Sequence, residues 1–508
     1  MSLDPTSRGP DTGDGHAVVI GSGFAGLTAA RALVDHMDRV TVIERDRLPR
    51  GPRWRPGVSQ SRHTHTLTDT GLRALEQLFP GVTGELVAAG MSLVRVPRDV
   101  LLYGPGGWLP RFDSGLSVLT GSRDVLDTVV RNRLHADRKV RFLQQHEVVG
   151  LEGGRNDTVT GVVLRRAGDD TGPTGVRRLL RAEFVVDASG YASATPQWLR
   201  ELGYEPPRES VVDAGASYAT AVYAPPVGHV DDWKGLLLTA TPDNPRHGAL
   251  TPLAGGKWMV SYAENGAAHA PSGHADFLLA LGRLRHPLLR EVVESATPLG
   301  PVYRSNRTEN RWRRYEWTRR LPDQFAVMGD ALAVFHPVHG QGLTVAAQCA
   351  VLLDAMLRSH GSTVGVAYRL RHALARQVAG AWRAATATDL AFPCAVADVD
   401  PPGPAARLAR RYLDRVALAA SVDRAAATAT LEVAHLRAGP AVFLRPRVVA
   451  AAVRGGRPAA FDAPSTTHGR GVRRRRPPLT TAPSVGASTA APPRSRVPGS
   501  SPTHLSGR

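Results

Sequence analysis

The sequence predicts an α/β fold: a parallel sheet built to hold a nucleotide, an antiparallel sheet inserted into it, and a helical C-terminal region. Three stretches predict it. Residues 16–46 read strand, tight turn, helix, strand. Residues 208–304 alternate as antiparallel strands do. Residues 325–343 return to a strand, a glycine-bearing loop and the start of a long helix.

The first stretch is HAVVIGSGFAGLTAARALVDHMDRVTVIERD. Residues 17–20 are an apolar run suited to a buried parallel strand. Gly21, Gly23 and Gly26 follow as G-x-G-x-x-G. Gly21 permits the sharp turn, Gly23 admits a pyrophosphate close to the backbone, and Gly26 lets the helix pack on the strand. Ser22, Phe24 and Ala25 complete the loop and helix start, whose free N–H groups favour phosphate. The second strand ends at Glu44, 18 residues after Gly26. A carboxylate there accepts the hydroxyls of an adenosine ribose and repels a 2′-phosphate. The context makes this a Rossmann-type unit, expected over residues 16–207 as the first part of the nucleotide domain.

The chain has 508 residues, 42% of them hydrophobic, enough for two or three packed regions. Its net charge is +18, from 60 Arg, three Lys and 45 acids. Residues 463–508 hold eight Arg and no acid, so the body is only mildly basic. Arginine richness of this kind fits genome composition better than a polyanionic partner, and no nucleic acid is expected. Two cysteines, Cys349 and Cys394, lack metal spacing and suit a reducing cytoplasm. No apolar run reads as a bilayer span. Residues 1–15 are polar and acidic, a disordered leader rather than a signal peptide.

After the first unit comes an Arg-, Pro- and Gly-rich loop, residues 45–62. Arg62 in it can face a flavin or its phosphates. From Thr66 the pattern turns helical, with Leu67, Leu72, Leu75, Leu78 and Phe79 on one face before Pro80-Gly81. His63 and His65 resemble a metal pair but have no third ligand nearby, and no metal site is assigned. Residues 96–119 read as strands. Ser122-Arg123-Asp124 caps a helix, and Arg123 in its first turn is either aimed back toward the nucleotide or a solvated helix-start charge. Residues 140–152 and 159–165 read as a hairpin, and residues 179–190 as a buried strand running into Asp187. Asp187 reaches the same ligand from a third position.

Residues 208–304 lack a nucleotide motif and are the expected substrate domain, with a helical 274–295 and Tyr218, Tyr223, Trp258 and Tyr262 as core aromatics. The nucleotide domain resumes at 305–363. A strand there delivers Gly329 and Asp330, the loop carries Phe335, His336, Pro337, His339 and Gly340, and a helix opens at Gly342-Leu343. Asp330 can bond a ribityl hydroxyl, and the helix start can hold negative charge on a flavin's pyrimidine end. Residues 364–454 form a helical layer, and 455–508 a disordered basic tail.

These motifs carry a resemblance. The three separated segments, Gly21–Gly26 with Glu44, Asp187–Gly190, and Gly329-Asp330 through Gly342, resemble the FAD-dependent monooxygenases of the para-hydroxybenzoate hydroxylase fold. The run from Arg55 to His65, residues 78–81, Ser122-Arg123, residues 310–315 and residues 388–393 resemble the bacterial flavin epoxidases of polyether pathways, of the monensin and lasalocid type. The resemblance implies that Gly21, Gly23, Gly26, Glu44, Arg45, Arg123, Asp330, Pro337, Gly340, Gly342 and Leu343 line FAD. It implies reduction by NADPH or NADH, directly or through a separate flavin reductase. O2 then forms a C4a-hydroperoxide that epoxidises a lipophilic polyene or polyketide. The flavin carries the chemistry, so no catalytic side chain is required; His336 and His339 are weak candidates beside the ring. Asp187-Ala188-Ser189-Gly190 departs from the Asp-Gly of many hydroxylases, which weakens direct use of NADPH. Aromatic hydroxylation is the alternative. Halogenation is disfavoured because Trp312 to Trp317 has the wrong spacing for that signature, and a non-oxygenating oxidoreductase would not need Gly329-Asp330.

Overall fold

The computed structural model describes residues 15–168, 177–398 and 403–455. The expected leader and basic tail fall outside them, apart from Gly15 and Gly455. His16–Ile20 is the middle strand of a five-stranded parallel sheet. The order is Phe325–Val327, Phe184–Asp187, His16–Ile20, Arg39–Glu44, Val140–Gln144. All five residues of the middle strand are buried, as they must be in a sheet covered on both faces. The helix Phe24–Val34 packs on it, and Gly26 is what allows this. A Cβ there would lie 1.9 Å from the carbonyl oxygen of Gly21.

The helix Gly342–His360 packs against Phe24–Val34, Asp69–Leu78 and Val366–Asp389. Its Ala347, Ala350 and Leu353 are fully buried in the main core. Burying one such leucine contributes about 1.5–3 kcal/mol. By length and composition this helix could also cross a bilayer, which the sequence reading did not anticipate. Its packing against three other helices accounts for its apolar character here.

Several expected elements divide. The helix expected from Thr66 begins at Asp69, because His65–Leu67 pairs as a strand with Asp113–Gly121. The expected 140–152 strand breaks at Gln145, which has a positive φ. Val140–Gln144 joins the parallel sheet, and His146–Gly153 pairs with Val159–Arg166. The 179–190 strand likewise splits into Arg178–Arg181 and Phe184–Asp187, which lie in different sheets. The helical 274–295 is two helices, His274–Leu281 and Leu288–Glu294, separated at Gly282 and Pro287.

The large sheet is mostly antiparallel. Ser217–Ala224, Lys257–Glu264, Arg246–Leu253 and Gly235–Leu238 are neighbours in that order. Val100–Gly104 adds to it from an earlier part of the chain, parallel to Gly235–Leu238. Tyr223, Trp258 and Tyr262 fill the core under this sheet with Phe277 and Leu281. In the C-terminal layer, Pro404–Ala419, Arg424–Ala434 and Pro446–Arg454 share a core of Val416, Ala426 and Val448. It is tied to the body near the nucleotide unit: Thr68 Oγ1 donates to the His435 carbonyl at 3.2 Å, and Gln341 Nε2 to the Ala434 carbonyl at 3.3 Å.

Candidate active site

A cavity of about 560 Å³ opens above the carboxyl ends of the parallel strands. Its wall takes Gly21–Ala25 from the first turn, Glu44 and Arg45 from the second strand, and Arg123 from a helix start. Asp330, Pro337, Gly340, Gly342 and Leu343 come from the last segment. Four expected residues stand off the wall. Gly26 serves helix packing. Gly329 has φ +62°, and a Cβ there would meet the Ala25 Cβ at 2.4 Å, so glycine lets the last strand close against the first helix. Asp187 is fully buried beneath the floor, where it accepts from Ser193 Oγ and Thr195 Oγ1, both at 2.5 Å, and from the Ser189 N–H at 2.9 Å. It shapes the turn that carries Ala188–Ala192 into the wall. Arg62 lies between the rings of Trp54 and Tyr303, 3.9 Å and 4.5 Å from their centroids.

At the nucleotide end, Glu44 is 5% exposed. Its carboxylate pairs with Arg55 Nη1 at 2.7 Å and accepts from Ser22 Oγ at 2.6 Å, the Ser22 N–H at 3.1 Å and the Asp46 N–H at 2.9 Å. Burial works against its charge, but the Arg55 guanidinium and these donors hold the carboxyl below its ordinary range. Arg55 Nη2 also donates to the Ser22 carbonyl at 2.9 Å, bracing the phosphate turn. Arg55 was hidden in the sequence by six neighbouring arginines in residues 39–62.

The ring end is different. His63 and His65 line it, both neutral. Burial, with Arg62 adding, takes His63 down to about 4; burial, with Arg123 adding, takes His65 down to about 3. His63 Nδ1 bonds Thr220 Oγ1 at 3.0 Å, and its ring stands edge-on to Tyr218, which also lines the cavity. The large sheet therefore meets the cavity at this end. Loss of solvation on burial pushes the Asp330 carboxyl up, with Arg123 opposing. His336 is in the wall, and His339 sits behind it. Both bond Asp389, on the helix Val366–Asp389. Sequence reading missed Asp389 as a site residue; it fell inside residues 388–393 of the resemblance. His336, His339 and Asp389 lie near enough to chelate a cation, but their mutual hydrogen bonds already account for the arrangement.

The chain fits a dinucleotide bearing a planar ring. A Cβ placed on Gly23 or Gly342 would meet nothing within 4 Å, so the backbone faces open space at both ends of the cavity. The Gly342 helix start presents free N–H groups beside that space.

Comparison with known proteins agrees. Residues 14–386 match the family model described as FAD binding domain. Protein Rv3254 of Mycobacterium tuberculosis is 31% identical over 391 residues, covering 75% of this chain and 82% of that protein. Kynurenine 3-monooxygenase of Salinispora tropica is 26% identical over 376 residues, covering 68% and 72%. The crystal structure of PqsL, described as a probable FAD-dependent monooxygenase from Pseudomonas aeruginosa, superposes with a TM-score of 0.53 at 18% identity. It covers 74% of this chain and 94% of that one, and it speaks to fold alone. Solved flavin-dependent halogenases share the fold as well. With the motifs, the cavity and the family model in agreement, the chain belongs to the FAD binding domain family and is an enzyme of its FAD-dependent monooxygenases.

Proposed function

We propose that this enzyme transfers one oxygen atom from O2 to an electron-rich carbon–carbon double bond of a lipophilic small molecule. The observation that supports it is a single cavity joining the nucleotide turn, the Asp330–Leu343 segment and the large sheet. When bound and reduced, FAD supplies the oxygen activation. In this reading Glu44, Arg55 and Ser22 fix the adenosine end, Arg123 and Asp330 the middle, and the Gly342 helix start the pyrimidine end of the ring. The substrate lies between that ring and the wall of His63, Tyr218 and His336. Walls this buried exclude water, which protects the oxygen transfer. NADPH or NADH supplies the electrons, directly or through a reductase. Cytoplasmic residence belongs to the same proposal and is supported by free Cys349 and Cys394.

Two products follow from one transfer. The polyether-epoxidase resemblance supports an epoxide from a polyene or polyketide. The Asp389–His336 pair supports a hydroxylated ring, because ring hydroxylation gains from a base in the cavity. The test is turnover of the reduced holoenzyme under labelled O2 against polyene and phenol panels. One labelled oxygen atom in the product supports the proposal, and epoxide or phenol tells the readings apart. Substrate oxidised without label, or halogenated when bromide is supplied, would refute it.

A further inference from the structure

A second cavity, of about 240 Å³, lies apart from the first, and no described residue lines both. Its floor is apolar and buried, made by Phe325, Val327, Leu332 and Leu374. Its polar lining is mostly basic. Arg319 and Arg320 come from the loop before Phe325–Val327, and Tyr368 and Arg371 from the helix Val366–Asp389. Two acids line it as well, and both are engaged. Asp157 pairs with Arg320 at 2.9 Å, and Asp323 Oδ2 accepts from the Gly365 N–H at 2.5 Å, at the start of that helix. Glu316, the carboxylate whose charge reaches Arg371, pairs with Arg314 at 3.4 Å. Arg319 and Arg371 are left without an ion pair among the described residues. The Arg371 guanidinium lies 4.5 Å from the centroid of the Tyr368 ring. Its Nε is enclosed, while its two terminal nitrogens keep accessible surface and make no hydrogen bond. A half-buried guanidinium at the edge of an apolar cavity usually has an anionic partner.

We infer that this cavity is a second ligand site, and that it takes a small carboxylic acid with an apolar, ring-bearing body. The body lies on Phe325, Leu332 and Leu374 and sheds its apolar surface from water there. The carboxylate faces the terminal nitrogens of Arg371, whose planar fork of N–H donors matches a carboxylate. Arg319 adds a second positive charge at the rim. The same surplus of charge opposes an amine. The volume is below the usual range for drug-sized ligands, so it suits one ring and a short chain rather than a nucleotide. Because the two cavities share no lining residue, the occupant is bound here and not oxygenated.

The FAD-loaded enzyme is titrated by calorimetry at pH 7 and low salt with 3-phenylpropanoate and with 3-phenylpropan-1-ol, and the flavin spectrum is followed in parallel. The acid should bind about tenfold tighter than the alcohol, as one charge-assisted contact at a half-buried site allows. Neither probe should shift the flavin bands. Arg371→Gln should cut the preference to about twofold, with FAD retained. Ala367→Leu, which narrows the cavity from its wall, should weaken acid and alcohol alike by about fivefold or more. Equal binding of acid and alcohol by the unaltered enzyme would overturn the inference. So would binding of neither at millimolar concentration, or a preference that survives both Arg371→Gln and Ala367→Leu. Binding that shifts the flavin bands and is untouched by Ala367→Leu would place the probe in the cofactor cavity and overturn it as well.

Discussion

Two buried carboxylates, one in the wall of the cavity and one behind it, are balanced by opposite means. Glu44, at the nucleotide end, is matched by a permanent charge, the guanidinium of Arg55. Asp389, behind the ring end, is matched by two imidazoles and an amide. A guanidinium keeps its proton at any physiological pH, so the first pair only holds shape and charge. An imidazole can gain or lose one, so the second can take part in chemistry. One end of the site carries a fixed charge pair, the other a carboxylate bonded to groups that can change theirs.

Acid should separate them most. His63 and His65 titrate at about 4 and about 3 in the fold, against 6.5 when free. Between those values the unfolded chain binds more protons than the folded one, so stability falls as the pH falls through the window from 6.5 to 4. Each imidazole contributes up to about 1.4 kcal/mol per pH unit, so at most about 3.5 kcal/mol each across the window. Tryptophan fluorescence of the holoenzyme against denaturant at pH 7, 6 and 5 measures it; a flat profile would mean that these histidines are solvated. The Glu44 carboxyl, held below its ordinary range, adds a loss only at the acid edge of that window, as the pH falls toward and below the ordinary value of 4.5.

Removing Arg55 comes next. Arg55→Met strands a buried carboxylate, at a cost of about 3–5 kcal/mol, and should release FAD on gel filtration. Adding Glu44→Gln should recover part of the stability, because the stranded charge goes with it. Asp389→Asn should cost less, about 1–3 kcal/mol, because it strands no permanent charge. Its flavin absorbance ratio should be that of the unaltered protein; if FAD is lost as readily as with Arg55→Met, the two ends are not distinct. The smallest effect belongs to Arg62→Ala. Its contacts with Trp54 and Tyr303 are worth about 0.5–1 kcal/mol at a half-exposed site, and the dissociation constant for FAD should not change.

The nucleotide turn was legible in the sequence and the Asp389 network was not. The strand, turn and helix from His16 to Val34 lie within nineteen residues, where glycine spacing and apolar runs act locally. The same holds for Gly329 through Leu343. Arg55 reaches Glu44 from a loop with no periodicity, and only folding distinguishes it from neighbouring arginines. Asp389 sits 53 residues beyond His336, on a helix whose pattern reads as packing. Local pattern also failed at Gln145 and Ala182, where one apparent strand serves two sheets. The parallel pairing of Val100–Gly104 with Gly235–Leu238 spans more than a hundred residues and leaves no local mark.

The order of the parallel sheet sets a timetable for synthesis. The strand made first lies at its centre, while Phe325–Val327, which completes it and leads into Asp330, is made some three hundred residues later. A ribosome that has released only the amino-terminal half has produced a platform with an open side. Cofactor capture must therefore wait until about residue 346 has emerged, and a chain arrested before that point should leave the ribosome colourless.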